Sequence, residues 1–235
     1  MHADFLLDVF SKNREKEAIV WRDKSFDYQW LLDHVHFWEK EIQKENIASG
    51  TVVILEADFS PAALALLLVL INMGCIVVPL TSSVESQKSE FIEIAEGEVI
   101  FKVTEDDHLE ISRIPHSPVH KFINQLKERR RPGLVLFSSG STGKSKASLS
   151  DFSEILSKFK VPRYSLRTIA FLLFDHIGGI NTLLYTLSNA GCVVVVNDRT
   201  PENVLQAVDK YRVELLPTSP TFINLILLSE AYKKY

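Results

Sequence analysis

Phe137-Ser138-Ser139-Gly140-Ser141-Thr142-Gly143-Lys144-Ser145-Lys146 packs two glycines, five hydroxyls and two lysines into ten positions. Glycines let backbone amides turn toward a phosphate, hydroxyls donate further hydrogen bonds, and lysines carry charge at neutral pH. Directly before the hydroxyls, Leu134-Val135-Leu136-Phe137 is apolar at every position, which predicts a central, parallel strand covered on both faces. A flexible Ser/Gly linker would need neither that buried strand nor the lysines at its end. The expectation is therefore an irregular loop, Ser138 to Gly143, whose amides converge on one anion.

Outward from this stretch, short Val/Ile/Leu runs alternate with segments of helical period from Gly50 onward, the pattern of βαβ units. The strand candidates are Val52 to Glu56, Cys75 to Val78, Glu98 to Val103, Leu134 to Phe137, Thr168 to Phe174, Cys192 to Val196 and Val213 to Leu216. Ser60-Pro61, Thr200-Pro201 and Ser219-Pro220 each read as a helix cap followed by a first-turn proline. Before Gly50, Tyr28, Leu31, Leu32, Val35, Trp38 and Ile42 recur at helical spacing, with Asp27 as the cap. His34 and His36, two apart on that helix, point away from each other and make no metal pair. The fold class that follows is α/β, with mostly parallel sheets sandwiched by helices.

With 235 residues, 46% of them hydrophobic and 24% charged, the chain can bury a sizeable core. A net charge of -4 offers no positive field for a polyanion, so nucleic acid is not an expected partner. The one basic run, Lys127 to Arg131, is broken by Glu128 and reads as a solvated helix end. Cys75 and Cys192 each open an apolar run, as buried strand residues do, which fits a reducing cytoplasm better than a disulfide or a metal. Met1-His2-Ala3-Asp4 lacks the start of a secretory signal. Pro61 to Leu80 is almost entirely apolar and about long enough to cross a bilayer. The cap at Ser60, the stop at Gly74 and the β-branched run ending at Pro79 instead divide it into a helix and a strand.

Two phosphate-loop patterns overlap on the central stretch. Gly143-Lys144-Ser145 completes the second half of the P-loop pattern G-x-x-x-x-G-K-[ST], but position 138 is serine where its first glycine belongs. A P-loop helix also begins at once, with its amide ends on the phosphate, whereas no helix start is legible here before Asp151. The other pattern agrees residue by residue. Ser138 to Gly143 and Lys146 resemble the signature of the adenylate-forming superfamily, a hydrophobic strand followed by [ST]-[ST]-G-[ST]-[ST]-G-x-P-K-G, with Ser145 replacing its proline and Ala147 its last glycine. Leu70 to Leu80 resembles the family's early helix, glycine and Val-Pro-Leu strand. Phe174-Asp175-His176-Ile177-Gly178-Gly179 resembles the acyl-CoA synthetase stretch in which a strand ends in histidine followed by glycine. Leu183 to Val196 and Leu216-Pro217-Thr218-Ser219-Pro220 continue the likeness in the right order.

That resemblance implies ATP-dependent activation of a small-molecule carboxylic acid, fatty or aryl, to an acyl adenylate. It implies transfer to a thiol, coenzyme A or the phosphopantetheine of an acyl carrier protein, with Mg²⁺ neutralising the phosphates. By the same resemblance Ser138, Ser139, Gly140, Ser141, Thr142, Gly143, Lys144 and Lys146 hold the β- and γ-phosphates, and Ser138 is a hydroxyl ligand near Mg²⁺. His176 and Lys146 are the catalytic candidates, His176 lining the carboxylate and thiol approach from a strand end. Asp175 reads two ways, because amino-acid-activating relatives use a Phe-Asp pair here to hold the substrate amine. The resemblance further implies two similar subdomains of an adenylate-forming N-terminal domain, 46–165 as one, and 1–45 with 166–235 as part of the other. The family's adenine, ribose and C-terminal lysine motifs do not appear before Tyr235, so the chain is expected to be a truncated, inactive part of a fatty-acid-metabolism ligase. Its bare apolar surface would favour a homodimer. A non-catalytic nucleotide-binding module and amino-acid adenylation stand as alternatives, and a P-loop NTPase is the least favoured.

Overall fold

The computed structural model describes residues 2–139 and 145–235, with Ser139 described by its backbone alone. In chain order the elements are α1 (Asp4–Lys12), β1 (Glu17–Trp21), β2 (Lys24–Asp27), α2 (Tyr28–Lys44), β3 (Val52–Glu56), α3 (Pro61–Asn72), β4 (Ile76–Leu80), α4 (Lys88–Ile94), β5 (Val99–Val103) and β6 (Leu109–Arg113). They continue with α5 (Lys121–Glu128), β7 (Gly133–Ser139), β8 (Ser145–Asp151), α6 (Phe152–Ser157), β9 (Arg167–Ile169), α7 (Ile177–Ser188), β10 (Cys192–Val194), α8 (Pro201–Lys210) and α9 (Pro220–Ser229).

The strands form two sheets among the described residues, one in the order β2-β1-β10-β9 and one in the order β6-β5-β3-β4-β7-β8. β5, β3, β4 and β7 run parallel, as do β1, β10 and β9. Antiparallel hairpin partners close three of the four edges. Because alternate residues of a strand face opposite ways, Val53, Leu55 and Val77 join one core, while Val52, Ile54, Ile76 and Val78 join another beneath α4 and α5.

The larger core ties the two sheets together. Ile19 and Val193 of the four-stranded sheet share it with Val53 and Val77 of the six-stranded one, through side chains of α1, α2, α3 and α7. α3 is buried at all twelve positions, so it carries no polar face, and its sequence reads as uniformly apolar for that reason. Ser60 caps it by accepting the Ala63 N–H, and Gly74 beyond its end takes φ +76°, a conformation that favours glycine. At twelve residues it spans about 18 Å. No helix among the described residues is long and apolar enough to cross a membrane.

Several strands differ from the sequence expectation. The run expected from Thr168 to Phe174 is a strand only over Arg167–Ile169, and Val213 to Leu216 contributes a single bridge, Leu215 to Thr168. Ser145–Asp151, which is not among the strand candidates, is a full strand. Thr200 stands at the start of α8 without a side-chain cap bond.

Candidate functional site

The hairpin of β7 and β8 is the local structure on which the central sequence stretch lies. Gly133 starts β7 where a Cβ would come within 3.0 Å of Ile76 and Leu126 side-chain atoms, so the strand enters the sheet at a residue chosen for its size. β7 pairs in parallel with β4, and antiparallel with β8 through seven residue pairs from Gly133↔Asp151 to Ser139↔Ser145. The prediction of a covered strand holds at Leu134 and Val135, both buried, while the parallel pairing holds on one side only. β8 carries few apolar residues and leaves Lys146 and Ser148 exposed, as an edge strand does when it is protected from pairing further. Asp151 ends it by capping α6 through the Ser153 N–H and by holding Arg131 at 2.8 Å.

Within that ladder Ser138 stands directly opposite Lys146, and both are exposed. Opposed residues of an antiparallel pair share one face, with Cβ atoms about 4.5–5.5 Å apart. A hydroxyl and a primary ammonium are thereby presented side by side. Ser138 and Ser139 finish a strand and do not open an irregular loop. Gly140, Ser141, Thr142, Gly143 and Lys144, also expected to bind phosphate, lie outside the described residues. A P-loop helix would run on from Lys144-Ser145; a strand occupies that place and the next helix begins at Phe152.

His176 is not at the end of a strand. Beyond Ile169 the chain leaves the sheet, with the Phe171 carbonyl held by the Arg199 Nε–H at 2.8 Å and Phe174 buried edge-on against Phe59. His176 then takes the cap position of α7, its side chain 60% exposed and making no cap bond. Gly179 explains the glycine after the histidine: a Cβ there would meet the Leu173 carbonyl oxygen at 2.0 Å. Only a glycine lets the first turn of α7 lie against the backbone of the preceding segment, which is what fixes where Asp175 and His176 emerge.

Asp175 is only 7% exposed. Its Oδ2 accepts the Thr81 N–H at 3.2 Å and the Thr81 hydroxyl at 2.7 Å. Thr81 follows β4 directly, and β4 is the parallel neighbour of β7. β4 and β7 pair at Ile76↔Gly133 and Val77↔Leu134 and run parallel, so Thr81, after β4, and Ser138, late in β7, both lie toward the C-terminal end of the sheet. The turn bearing Asp175 and His176 is thus fastened to the residue that follows β4, the strand beside β7. Thr81 was not legible as a site residue, since 94 positions separate it from Asp175. A cleft of about 280 Å³ opens at the ends of β3, β4 and β5, lined among others by Glu56, Ser60, Thr81, Lys88 and Lys102. Glu56 and Glu85 pair with Lys88 there, so the cleft is mixed in charge.

The cysteines take no part. Cys75 and Cys192 are free and buried, and burial pushes their thiols up to about 12 and about 11. Among the described residues no group of three or more His, Cys, Asp or Glu side chains could hold a metal ion. The donors at the hairpin, a hydroxyl beside an ammonium, suit phosphate oxygens and not a bare cation.

This parallel-sheet scaffold, carrying a hydroxyl-and-lysine hairpin at its edge, is that of the adenylate-forming enzymes. The chain belongs to the AMP-binding enzyme family, whose pattern it matches over residues 7–235. It is 25% identical over 220 residues to the 4-coumarate--CoA ligase-like 9 protein of Arabidopsis thaliana, a match covering 81% of this chain and 39% of that protein. It is 23% identical over 240 residues to nonribosomal peptide synthetase 5 of Gibberella zeae, covering 94% of the chain and 2% of the synthetase. Among solved structures, the N-terminal subdomain of Klebsiella oxytoca NpsA in complex with 3-hydroxybenzoyl-AMSN superposes with a TM-score of 0.76 at 16% identity, over 95% of this chain and 61% of that one. Bacillus subtilis o-succinylbenzoate CoA synthetase, in complex with its acyl-adenylate intermediate OSB-AMP, gives 0.73 at 13% identity, over 95% and 63%. The chain therefore spans about two fifths of the plant relative and about three fifths of the solved subdomain.

Proposed function

We propose that the protein to which this chain belongs activates a carboxylic acid with ATP, forming an acyl adenylate and pyrophosphate, and passes the acyl group to a thiol. The observation that carries this reading is the pairing of Ser138 with Lys146 at the sheet edge of a chain in the AMP-binding family. An anionic carboxylate must approach a polyanion, so donors have to draw charge away from the departing pyrophosphate. Lys146 supplies a charged donor and Ser138 a neutral one from a rigid ladder, which needs no reorganisation as the charge moves. ATP, when bound, would supply the electrophilic α-phosphorus and would bring its own Mg²⁺ on the phosphates, toward which the Ser138 hydroxyl oxygen is the ligand we assign. Gly140 to Lys144 are assigned to the same phosphates by their pattern.

His176, exposed at the start of α7, is assigned to the approach of the carboxylate and the thiol. The substrate we favour is an aryl or fatty acid. The named ligands of the solved neighbours include a hydroxybenzoyl group, and one curated relative is ligase-like toward 4-coumarate by name. Two relatives are peptide synthetases, which supports amino-acid adenylation as the second reading, with a carrier phosphopantetheine instead of coenzyme A as acceptor. The six-stranded sheet with its helices, 46–165, is read as one subdomain, and 1–45 with 166–235 as part of a second.

The test is ATP–pyrophosphate exchange by the whole gene product against panels of aryl, fatty and amino acids. Exchange driven by aryl or fatty acids supports the proposal. Exchange driven by amino acids alone replaces it with the second reading, and no exchange with any acid refutes both.

A further inference from the structure

We infer that Asp175 is a positioning residue for His176, fixing which ring nitrogen of the histidine carries the proton. The inference rests on the functional reading above only for what His176 does, not for how Asp175 holds it. Four observations lead to it. Asp175 Oδ2 is fully occupied by the Thr81 N–H and hydroxyl. Thr81 Oγ1 spends its one proton on Asp175 and therefore accepts from the Ser83 hydroxyl, 2.7 Å away. Asp175 Oδ1 is buried and has no hydrogen-bond partner. Nε2 of His176 lies 3.7 Å from that oxygen, the one ion-pair contact His176 makes among the described residues.

A carboxylate held on one side by two donors is a directed acceptor on the other. Its free oxygen is out of water and calls for a donor, and among the described residues the exposed ring of His176 makes an ion-pair contact with it. A small rotation closes 3.7 Å to hydrogen-bond length with the proton on Nε2. Nδ1 then keeps its lone pair and is the ring nitrogen left to accept a proton, on the side of the ring away from Asp175. The arrangement has the form in which a carboxylate orients an imidazole and sets its tautomer. The sequence neighbourhood explains why it is rigid: Phe174 is anchored against Phe59, and Gly179 seats α7.

The experiment is long-range ¹⁵N–¹H NMR of this chain, with His176 assigned by comparison with His176→Gln. Wild-type protein is expected to show the Nε2–H tautomer. Asp175→Asn keeps the shape and an oxygen for Thr81 but turns an amide donor toward the ring, so the tautomer should switch to Nδ1–H. Thr81→Val, which removes one tether but not the carboxylate, should leave the tautomer unchanged. In the whole gene product, Asp175→Asn should lower kcat of acid-dependent turnover about 10- to 100-fold with little change in the KM for ATP. The same substitution should cost nothing further in a His176→Gln background. An unchanged tautomer in Asp175→Asn overturns the inference, and so does an equal loss in both backgrounds, which would mean that Asp175 only ties the turn to Thr81. A rise confined to the KM of an amino-acid substrate would also overturn it, because Asp175 would then hold a substrate amine. The NMR result stands even if no adenylation is found, so failure of the functional reading and failure of this inference are separable.

Discussion

Ser138 and Lys146 face each other across the β7 and β8 ladder, one residue pair in from the end at which the chain passes from β7 to β8. Because β8 is an edge strand and both side chains are exposed, neither contributes to the core. Lys146→Ala should therefore change stability by no more than about 0.5 kcal/mol. It should weaken ATP binding about 10- to 150-fold, the loss of a charged hydrogen bond at ~1.5–3 kcal/mol. Ser138→Ala should lose about 2- to 10-fold, since a neutral hydrogen bond is worth ~0.5–1.5 kcal/mol. Titration calorimetry of ATP and urea unfolding of each variant check the two halves.

Gly179→Ala should act in the opposite way, on the fold first. The added methyl meets the Leu173 carbonyl at 2.0 Å, and backbone cannot swing aside as a side-chain tip can. Relief by displacement of α7 should cost about 1–3 kcal/mol or more. Urea denaturation should show it as a lowered midpoint with an unchanged slope. Gly178→Ala meets only the tip of the Leu172 side chain and should be milder.

Alkaline pH should destabilise the protein through its buried thiols. Burial raises Cys75 and Cys192 from 9.0 to about 12 and about 11, so the folded state keeps protons that the unfolded chain releases. Groups raised in this sense give their full stabilisation below pH 9 and lose it as pH climbs toward 11 and 12. Between pH 9 and pH 10 the loss should be about 1 kcal/mol per thiol. Tyr28 adds to it above pH 10, since burial pushes its phenol upward too while its hydroxyl donates to the Gly191 carbonyl at 2.7 Å. Unfolding midpoints measured from pH 7 to 10 should fall in the wild type and flatten in a Cys75→Ala/Cys192→Ala double variant. Both thiols should also resist modification until the chain unfolds.

Where burial is continuous, sequence and structure agree closely. Val52 to Glu56 is a strand over the expected residues, and Ser60-Pro61, Asp27 and Ser219-Pro220 start helices with the expected caps. Local chemistry decides such positions, because a cap needs only its own next turn. β8 was not legible because Ser145-Lys146-Ala147-Ser148-Leu149-Ser150-Asp151 has almost no apolar signal and owes its conformation to pairing with β7. β1 carries an apolar run, Ala18 to Trp21, that was its one sequence signal; Arg22 and Asp23 both take positive φ without the Asn or Gly that would have marked a hairpin turn. Thr168 to Phe174 misled in the other direction. Its apolar residues past Ile169 pack on other partners, Phe174 on Phe59 and Phe171 on Phe222, and leave the sheet. The Asp175 to Thr81 contact, a product of topology alone, had no sequence trace.

The central claim is that the Ser138 and Lys146 hairpin grips the phosphates of ATP while a carboxylic acid is activated. Acid-dependent ATP–pyrophosphate exchange by the whole gene product, run for wild type, Lys146→Ala and Ser138→Ala at equal fold stability, tests it most directly. The account predicts exchange with an aryl or fatty acid, reduced at least tenfold by Lys146→Ala and less by Ser138→Ala. Exchange undiminished by either substitution, or none with any acid in the wild type, would contradict it.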